Sequence, residues 1–253
     1  MSERTENEPI HLIVAAPVQR SGSTLLQRIC NRRSGSLIWG EHGGVLNDYE
    51  NIGRLIRYFS DHSSSEREAF FGNGEDANQW IANMTPESTY VDEAVIASVR
   101  ALFARLYAPF RDTHDRIGFK EVRYGRPALT LFRQCFPEAD ILLIVRHPVD
   151  TWRSSVGWYN RIGDFTTKWN ENAGYYLELA EQDPRAHLVV YENLVNRDQA
   201  TLDLISKVAD VTEEEIELTL AYKVGSHKNP VSDADIRIIQ TECSAVMSKY
   251  GYT

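Results

Sequence analysis

The chain has 253 residues, 42% hydrophobic and 25% charged, with a formal net charge of −9; that is enough for one full α/β core, and the acidic balance excludes bulk nucleic-acid binding through a basic face. The polar start MSERTENEPI reads as neither leader nor anchor, and no apolar run approaches the roughly 20 residues of a membrane span, so a cytoplasmic protein with no membrane partner is expected. Cys30, Cys135 and Cys243 form no CxxC pair and the histidines lack metal-ligand spacing, so neither a disulfide framework nor a metal site is expected.

Residues 1–10 are expected to be flexible, and 11–253 to form a single domain. Residues 12–16 form an apolar strand that stops at Pro17, and a helix is predicted over 24–32. A strand at 37–39 precedes a helix at 45–59, whose Val45, Leu46, Tyr49, Ile52, Leu55, Ile56 and Phe59 trace one face. Helices are predicted over 65–71, 76–84 and 88–107, then a strand at 117–120 and a helix at 127–136. The run ILLIV at 141–145 does not alternate, as expected of a strand covered on both faces. Helices at 149–159 and 174–182, a strand at 187–191 and helices at 198–208, 213–222 and 233–250 complete the pattern. Short apolar strands between helices predict an α/β fold with a mainly parallel central sheet flanked by helices. Ligands of such sheets sit at the carboxyl ends of the strands. Residues 17–24, 41–42, 121–124, 146–148 and 192–193 therefore belong to one edge.

The stretch 11–25, HLIVAAPVQRSGSTL, carries the most information. A strand, a tight turn of small polar residues and a helix start make an anion site, because the first helical amides lack intrahelical partners and the macrodipole is positive there. Gly22 lets the backbone approach a ligand, Arg20 offers a planar fork of donors, and Ser21, Ser23 and Thr24 add hydroxyls. A nucleoside-triphosphate loop would need Gly, four residues and Gly-Lys-Ser/Thr. Pro17 stands where its first glycine belongs and Ser23 where its lysine belongs, so the loop suits another anion. A second constellation lies in ILLIVRHPVDTWRSSV at 141–156. Arg146 ends a buried strand, Pro148 can open a helix, and Ser154 sits about two turns into it, able to join Arg146 around one anion.

Together these segments resemble the sulfotransferases that use 3′-phosphoadenosine 5′-phosphosulfate (PAPS). RSGST at 20–24, continuing to Leu25, is similar to their 5′-phosphosulfate loop, in the form used by the Golgi and tyrosylprotein branch. Arg146 and Ser154, eight residues apart, are similar to their 3′-phosphate site. GFKE at 118–121, VVYENL at 189–194 and GSHKNP at 225–230 resemble further family stretches in the same order. The resemblance implies a single P-loop-kinase-like domain and PAPS as sulfuryl donor, with adenosine 3′,5′-bisphosphate as product and no metal. It implies Arg20, Ser21, Gly22, Ser23, Thr24, Leu25, Arg146, Ser154, Tyr191, Ser226 and Lys228 as donor-binding residues.

Sulfuryl transfer needs an in-line nucleophile and stabilisation of charge on the migrating group's oxygens. Arg20, the loop amides and Lys120 are the candidates for the second task. The acceptor, a hydroxyl or amine of a small molecule, must lose a proton. The resemblance places a glutamate base after a glycine about twenty residues past the loop arginine, where Gly40-Glu41-His42 stands. Glu41 is chosen, His42 is one residue away, and Glu121 is a more distant candidate. Trp39, Trp152, Trp158, Tyr159 and Trp169 read as core more than as an acceptor pocket, and residues 43–116 are expected to supply much of that pocket. The alternatives are a kinase-like phosphotransferase, disfavoured by the missing lysine, and a noncatalytic nucleotide-binding protein.

Overall fold

The structure, a computed structural model, describes residues 9–155, 158–222 and 230–253. The strands are β1 (Leu12–Ala15), β2 (Ser36–Trp39), β3 (Arg116–Glu121), β4 (Asp140–Val145) and β5 (Ala186–Val190). The helices are α1 (Ser23–Cys30), α2 (Val45–His62), α3 (Ser64–Gly72), α4 (Ser88–Tyr107), α5 (Arg126–Cys135) and α6 (Pro148–Ser154). They continue with α7 (Ile162–Gln182), α8 (Tyr191–Val195), α9 (Gln199–Ala209), α10 (Glu213–Leu220), α11 (Asp233–Glu242) and α12 (Ser244–Lys249). The sheet order is β2-β3-β1-β4-β5, with every pairing parallel. Parallel pairing puts all five carboxyl ends on one edge, as the sequence pattern predicts.

Alternation along the strands divides the core. Ile13, Ala15, Ile117, Phe119, Ile141, Leu143 and Val145 pack on one face with residues of α2, α4, α5 and α7. Leu12, Val14, Ile38, Leu142, Ile144 and Val189 pack on the other with residues of α1, α9 and α10. Both faces of β4 are covered, which is why its run Ile141–Val145 is continuously apolar. Cys30, Cys135 and Cys243 are free and buried. Burial pushes each thiol up to about 12, so none is a thiolate nucleophile at neutral pH. No described helix is long and apolar enough to cross a membrane.

Several element boundaries differ from expectation, each for a local reason. The helix expected over 76–84 is only a 3-10 turn at Ala77–Gln79, because the Asp76 side chain accepts from the Asn78 amide and holds a local turn instead. The helix expected over 149–159 stops at Ser154, where the Ser155 hydroxyl turns back to the Trp152 carbonyl at 3.0 Å. The helix expected from 174 begins at Ile162; its first three turns bury Phe165 and Trp169, and Gly174 lies inside it. The helix expected over 233–250 is two, meeting at Cys243. Tyr191 leaves the strand and opens α8. The acidic run at 213–215 starts α10 behind a capping box formed by Thr212 and Glu215.

Gly118 marks where the sheet tolerates no side chain. A Cβ there would come within 1.7 Å of the Leu12 carbonyl oxygen. Gly118→Ala is therefore expected to destabilise the fold by about 3 kcal/mol through overpacking, measured by urea unfolding; an unchanged midpoint would contradict this packing.

Candidate active site

The sheet order sets the site. Across the carboxyl edge, β2 leads into Glu41, β3 ends with Lys120 and Glu121, β1 feeds the loop to α1, β4 feeds Arg146, and β5 feeds Tyr191. Adjacent strands lie roughly 4.8 Å apart, so these five ends span about 19 Å. A cleft of about 330 Å³ runs along them, lined by Arg20, Glu41, Lys120, Arg146, Ser154 and Tyr191 among others. That volume is at the lower end of small-molecule sites.

The loop is shaped by two left-handed residues, Arg20 at φ 69° and Gly22 at φ 94°. Gly22 has a second constraint, since a Cβ would lie 2.3 Å from the Tyr191 ring. No side chain caps α1, which leaves its first-turn amides to a ligand. Gly22, Ser23, Thr24 and Leu25 line the cleft. Ser21 does not: it is fully buried and donates to the Val18 carbonyl at 2.9 Å, so it holds the turn in shape.

Arg20 Nε donates to Ser154 Oγ at 3.1 Å, and Arg146 Nη1 donates to the Arg20 carbonyl at 3.3 Å. The two cationic anchors recognised in the sequence are therefore one continuous patch. The sequence order suggested that Arg20 faces the sulfuryl end; here its guanidinium lies on Ser154. The Arg146 guanidinium carbon sits 4.6 Å over the centroid of the Tyr191 ring. Arg146 Nε is buried with no hydrogen-bond partner among the described residues. A buried, unsatisfied guanidinium N–H is costly, and an anion in the cleft would relieve it. His147 caps α6 through Val149 N at 3.3 Å, and Pro148 occupies the first helical turn as expected.

At the other end, Lys120, only 8% exposed, pairs with Glu41 Oε1, and Arg123 Nη1 reaches Glu41 Oε2 at 2.8 Å. Partial burial pushes the Glu41 carboxyl up, but the hydrogen bonds and charges of Lys120 and Arg123 outweigh it and hold the group below its usual 4.5. Glu41 is thus ionised at neutral pH. Glu121 is a different kind of carboxylate. It is fully buried and accepts from Gly44 N at 2.8 Å, Val122 N at 2.9 Å and Arg123 at 2.7 Å. Those bonds pin the turn after β2 to the end of β3, and Glu121 does not line the cleft. His42 does not line it either. Its ring lies among Phe103, Phe119 and Tyr107, with Nε2 3.0 Å from the Tyr107 hydroxyl. Burial lowers its basicity below the usual 6.5 despite the Gly40 backbone and the Glu121 charge, so it is neutral at pH 7. One residue of sequence separates a side chain in the cleft from one in the core.

Sequence reasoning missed Arg28, Val195, Arg197, Leu220 and Tyr222 on the cleft wall. Arg28 was within reach, since it follows Thr24 by four residues and shares its face of α1. The others come from α8, α10 and their flanks, whose approach to the loop is a tertiary matter. Trp158 lines the cleft, whereas Trp169 is core. Ser226 and Lys228 lie outside the described residues. Among the described residues no group of three or more His, Cys, Asp or Glu could hold a metal ion.

The fold has solved counterparts. The sulfotransferase domain of the Synechococcus PCC 7002 olefin synthase superposes with a TM-score of 0.54 at 18% identity, covering 99% of this chain and 97% of that one. The sulfotransferase domain from the curacin biosynthetic pathway gives 0.54 at 14%, covering 96% and 98%. A sulfotransferase from Mycobacterium avium gives 0.53 at 10%, covering 98% and 78%. At such identities the likeness is one of fold. No curated protein matches the sequence. The model of the sulfotransferase family, however, matches residues 13–215, from β1 through the start of α10, and the chain belongs to that family.

Proposed function

We propose that this sulfotransferase moves the sulfuryl group of PAPS to a hydroxyl or amine of a small-molecule acceptor, with Glu41 as general base. The observation that carries this reading is the order of groups along the cleft. Arg146, Ser154 and Arg20 form a cationic patch at one end, and an ionised carboxylate beside a buried lysine forms the other. A donor with a phosphate at its 3′ side and a phosphosulfate at its 5′ side matches a cationic patch that continues into the helix N-terminus of α1, with Lys120 beyond it in the same cleft. Ser154 Oγ accepts from Arg20, so its own proton is free to donate to a phosphate oxygen. The RSGST loop and the glutamate after Gly40 favour the Golgi and tyrosylprotein style of site, and the placement of His42 within aromatic packing favours Glu41 over His42 as the base.

In this reading the acceptor oxygen or nitrogen attacks sulfur in line. The new bond to sulfur forms as the bond from sulfur to the bridging phosphate oxygen breaks, and adenosine 3′,5′-bisphosphate departs. Lys120 transfers its hydrogen bond from Glu41 to the sulfuryl oxygens, where charge is concentrated. Losing that cation raises the basicity of Glu41, which takes the acceptor proton. Arg123 stays behind on Glu41 and Glu121 and holds the base in place. A kinase-like reaction is disfavoured because no lysine stands in the loop to meet β- and γ-phosphates.

Three measurements test the reading. Adenosine 3′,5′-bisphosphate should raise the melting temperature well above the effect of equimolar ATP, and labelled PAPS should be turned over only with an acceptor present. Equal shifts by the two nucleotides would argue against the donor. Ser154→Ala removes a hydrogen bond to a charged oxygen, worth roughly 1.5–3 kcal/mol, so calorimetry should show affinity for adenosine 3′,5′-bisphosphate falling about ten-fold or more with adenosine 5′-phosphosulfate little affected.

Glu41→Gln should lower single-turnover sulfuryl transfer by about 10²–10⁴-fold with near-normal nucleotide binding. The pH profile follows from the depressed carboxyl. The base is active when ionised, so kcat/KM should hold as pH falls to the ordinary carboxylate range and drop only below it. Lys120→Met, which removes one of the depressing charges, should move that acid limb to higher pH. A limb that stays in place would show that Glu41 is not the titrating group.

A further inference from the structure

The patch proposed to bind the donor is braced from behind by residues that do not line the cleft. Arg146 and Tyr191 end neighbouring strands, and each is followed by a residue that ties the two ends together. Glu192 Oε1 accepts from the His147 amide at 3.0 Å. Its other oxygen, Oε2, accepts from the Tyr252 hydroxyl at 2.7 Å. The Tyr252 ring meets the His147 ring edge-on at 5.0 Å and stacks on Tyr250 at 5.9 Å. Tyr250 is fixed in turn by its hydroxyl on the Ala173 carbonyl of α7 at 2.8 Å. Trp169, also on α7, donates to the Arg146 carbonyl at 3.3 Å and lies 6.4 Å from Tyr250. The segment after α12 is thus packed against the residues that flank the anchor pair, far from it in sequence.

We infer that Tyr252 and Glu192 are positioning residues for the donor's 3′-phosphate: their hydrogen bond locks the strand ends so that the Arg146 guanidinium, which lines the cleft, stays stacked on Tyr191. Arg146 is a long side chain that loses much rotamer freedom when held in one place. Stacking on Tyr191 helps only if both strand ends keep their spacing, and the Glu192 carboxylate sets that spacing by accepting from one strand end while belonging to the other. Tyr252 occupies the second oxygen, which leaves the carboxylate one orientation. The same arrangement presses the Tyr191 ring against Gly22, so the brace also bears on the anion loop.

This inference rests on the assignment of Arg146 to the 3′-phosphate, and its test separates the two. The readout is the ratio of affinities for adenosine 3′,5′-bisphosphate and adenosine 5′-monophosphate, measured by calorimetry on the full chain. Tyr252→Phe keeps the ring and removes only the hydroxyl. It should cut that ratio roughly five- to ten-fold while leaving the monophosphate affinity near wild type. Glu192→Ala should do the same or more, whereas Glu192→Gln, which retains an oxygen for His147 N and an amide able to pair with Tyr252, should keep most of the ratio. In an Arg146→Ala background, Tyr252→Phe should have no further effect on the ratio, because it acts through that arginine. A wild-type protein that prefers the bisphosphate beside a Tyr252→Phe variant with the same preference would overturn the inference alone. Equal loss for both ligands in Tyr252→Phe, accompanied by a lower melting temperature, would also overturn it, as the sign of a purely structural contact. A wild-type protein without preference would overturn the donor assignment and this inference with it.

Discussion

The parallel pairing of β1 with both β3 and β4 is the constraint on which the site depends. Val14 is in register with Lys120 on one side and Leu142 on the other, and Ala15 with Glu121 and Leu143. This register brings the end of β3 beside the start of the anion loop and sends Arg146 past it on the opposite side. Because the side-chain period of a strand is two, a slip by one residue would turn the Lys120 side chain to the other face of the sheet and break the alternation that builds both halves of the core. The apolar packing on the two faces therefore fixes the chemistry of the edge. Gly118 contributes at the same level, since only a residue without a side chain lets β3 lie this close to Leu12.

Above that scaffold, the charged groups form two networks with different states of completion. At the Glu41 end the charges are mutually satisfied: Lys120 and Arg123 meet Glu41, and Arg123 also meets the buried Glu121. At the Arg146 end the cations outnumber the carboxylates in contact with them, and a buried guanidinium N–H lacks a partner among the described residues. In the proposed reading, the end with unsatisfied cationic groups takes the anion of the donor. In the same reading, the sulfuryl oxygens compete with Glu41 for Lys120, its partner in this structure. That proposal would let binding free energy at one end change the protonation behaviour of the other, the differential use of binding that catalysis requires.

The features legible in the sequence were those encoded locally. Each strand was recognised because a buried parallel strand is a short apolar run, and the loop was recognised because small polar residues between a strand and a helix have few other uses. The division between Glu41 and His42 was not legible, because it turns on which of two adjacent side chains meets Phe103 and Phe119, residues some sixty to eighty positions away. The same holds for Arg20. Its spacing in RSGST places it at the loop, but the left-handed backbone and the hydroxyl of Ser154, 134 residues on, decide where the guanidinium points. Tyr252 gives no local signal; its hydrogen bond to Glu192 exists only where the segment after α12 meets the ends of β4 and β5.

The aromatic residues show the same division. Trp169 and Trp158 both belong to the region after β4, and neither composition nor spacing tells them apart. Trp169 falls on the inner face of α7, is fully buried and uses its indole N–H on the Arg146 carbonyl. Trp158 lies beyond the end of α6, is 59% exposed and lines the cleft. The early stop of α6 at Ser154 separates their fates. Had that helix run on as its sequence suggests, Ser154 would sit mid-helix; instead it lies in the last turn. The Ser154 hydroxyl meets Arg20 from that last turn, and Trp158, beyond the helix, lines the cleft. What joins the two anchors is the long-range contact of Arg20 with Ser154 and of Arg146 with the Arg20 carbonyl, which no local pattern of the sequence carries.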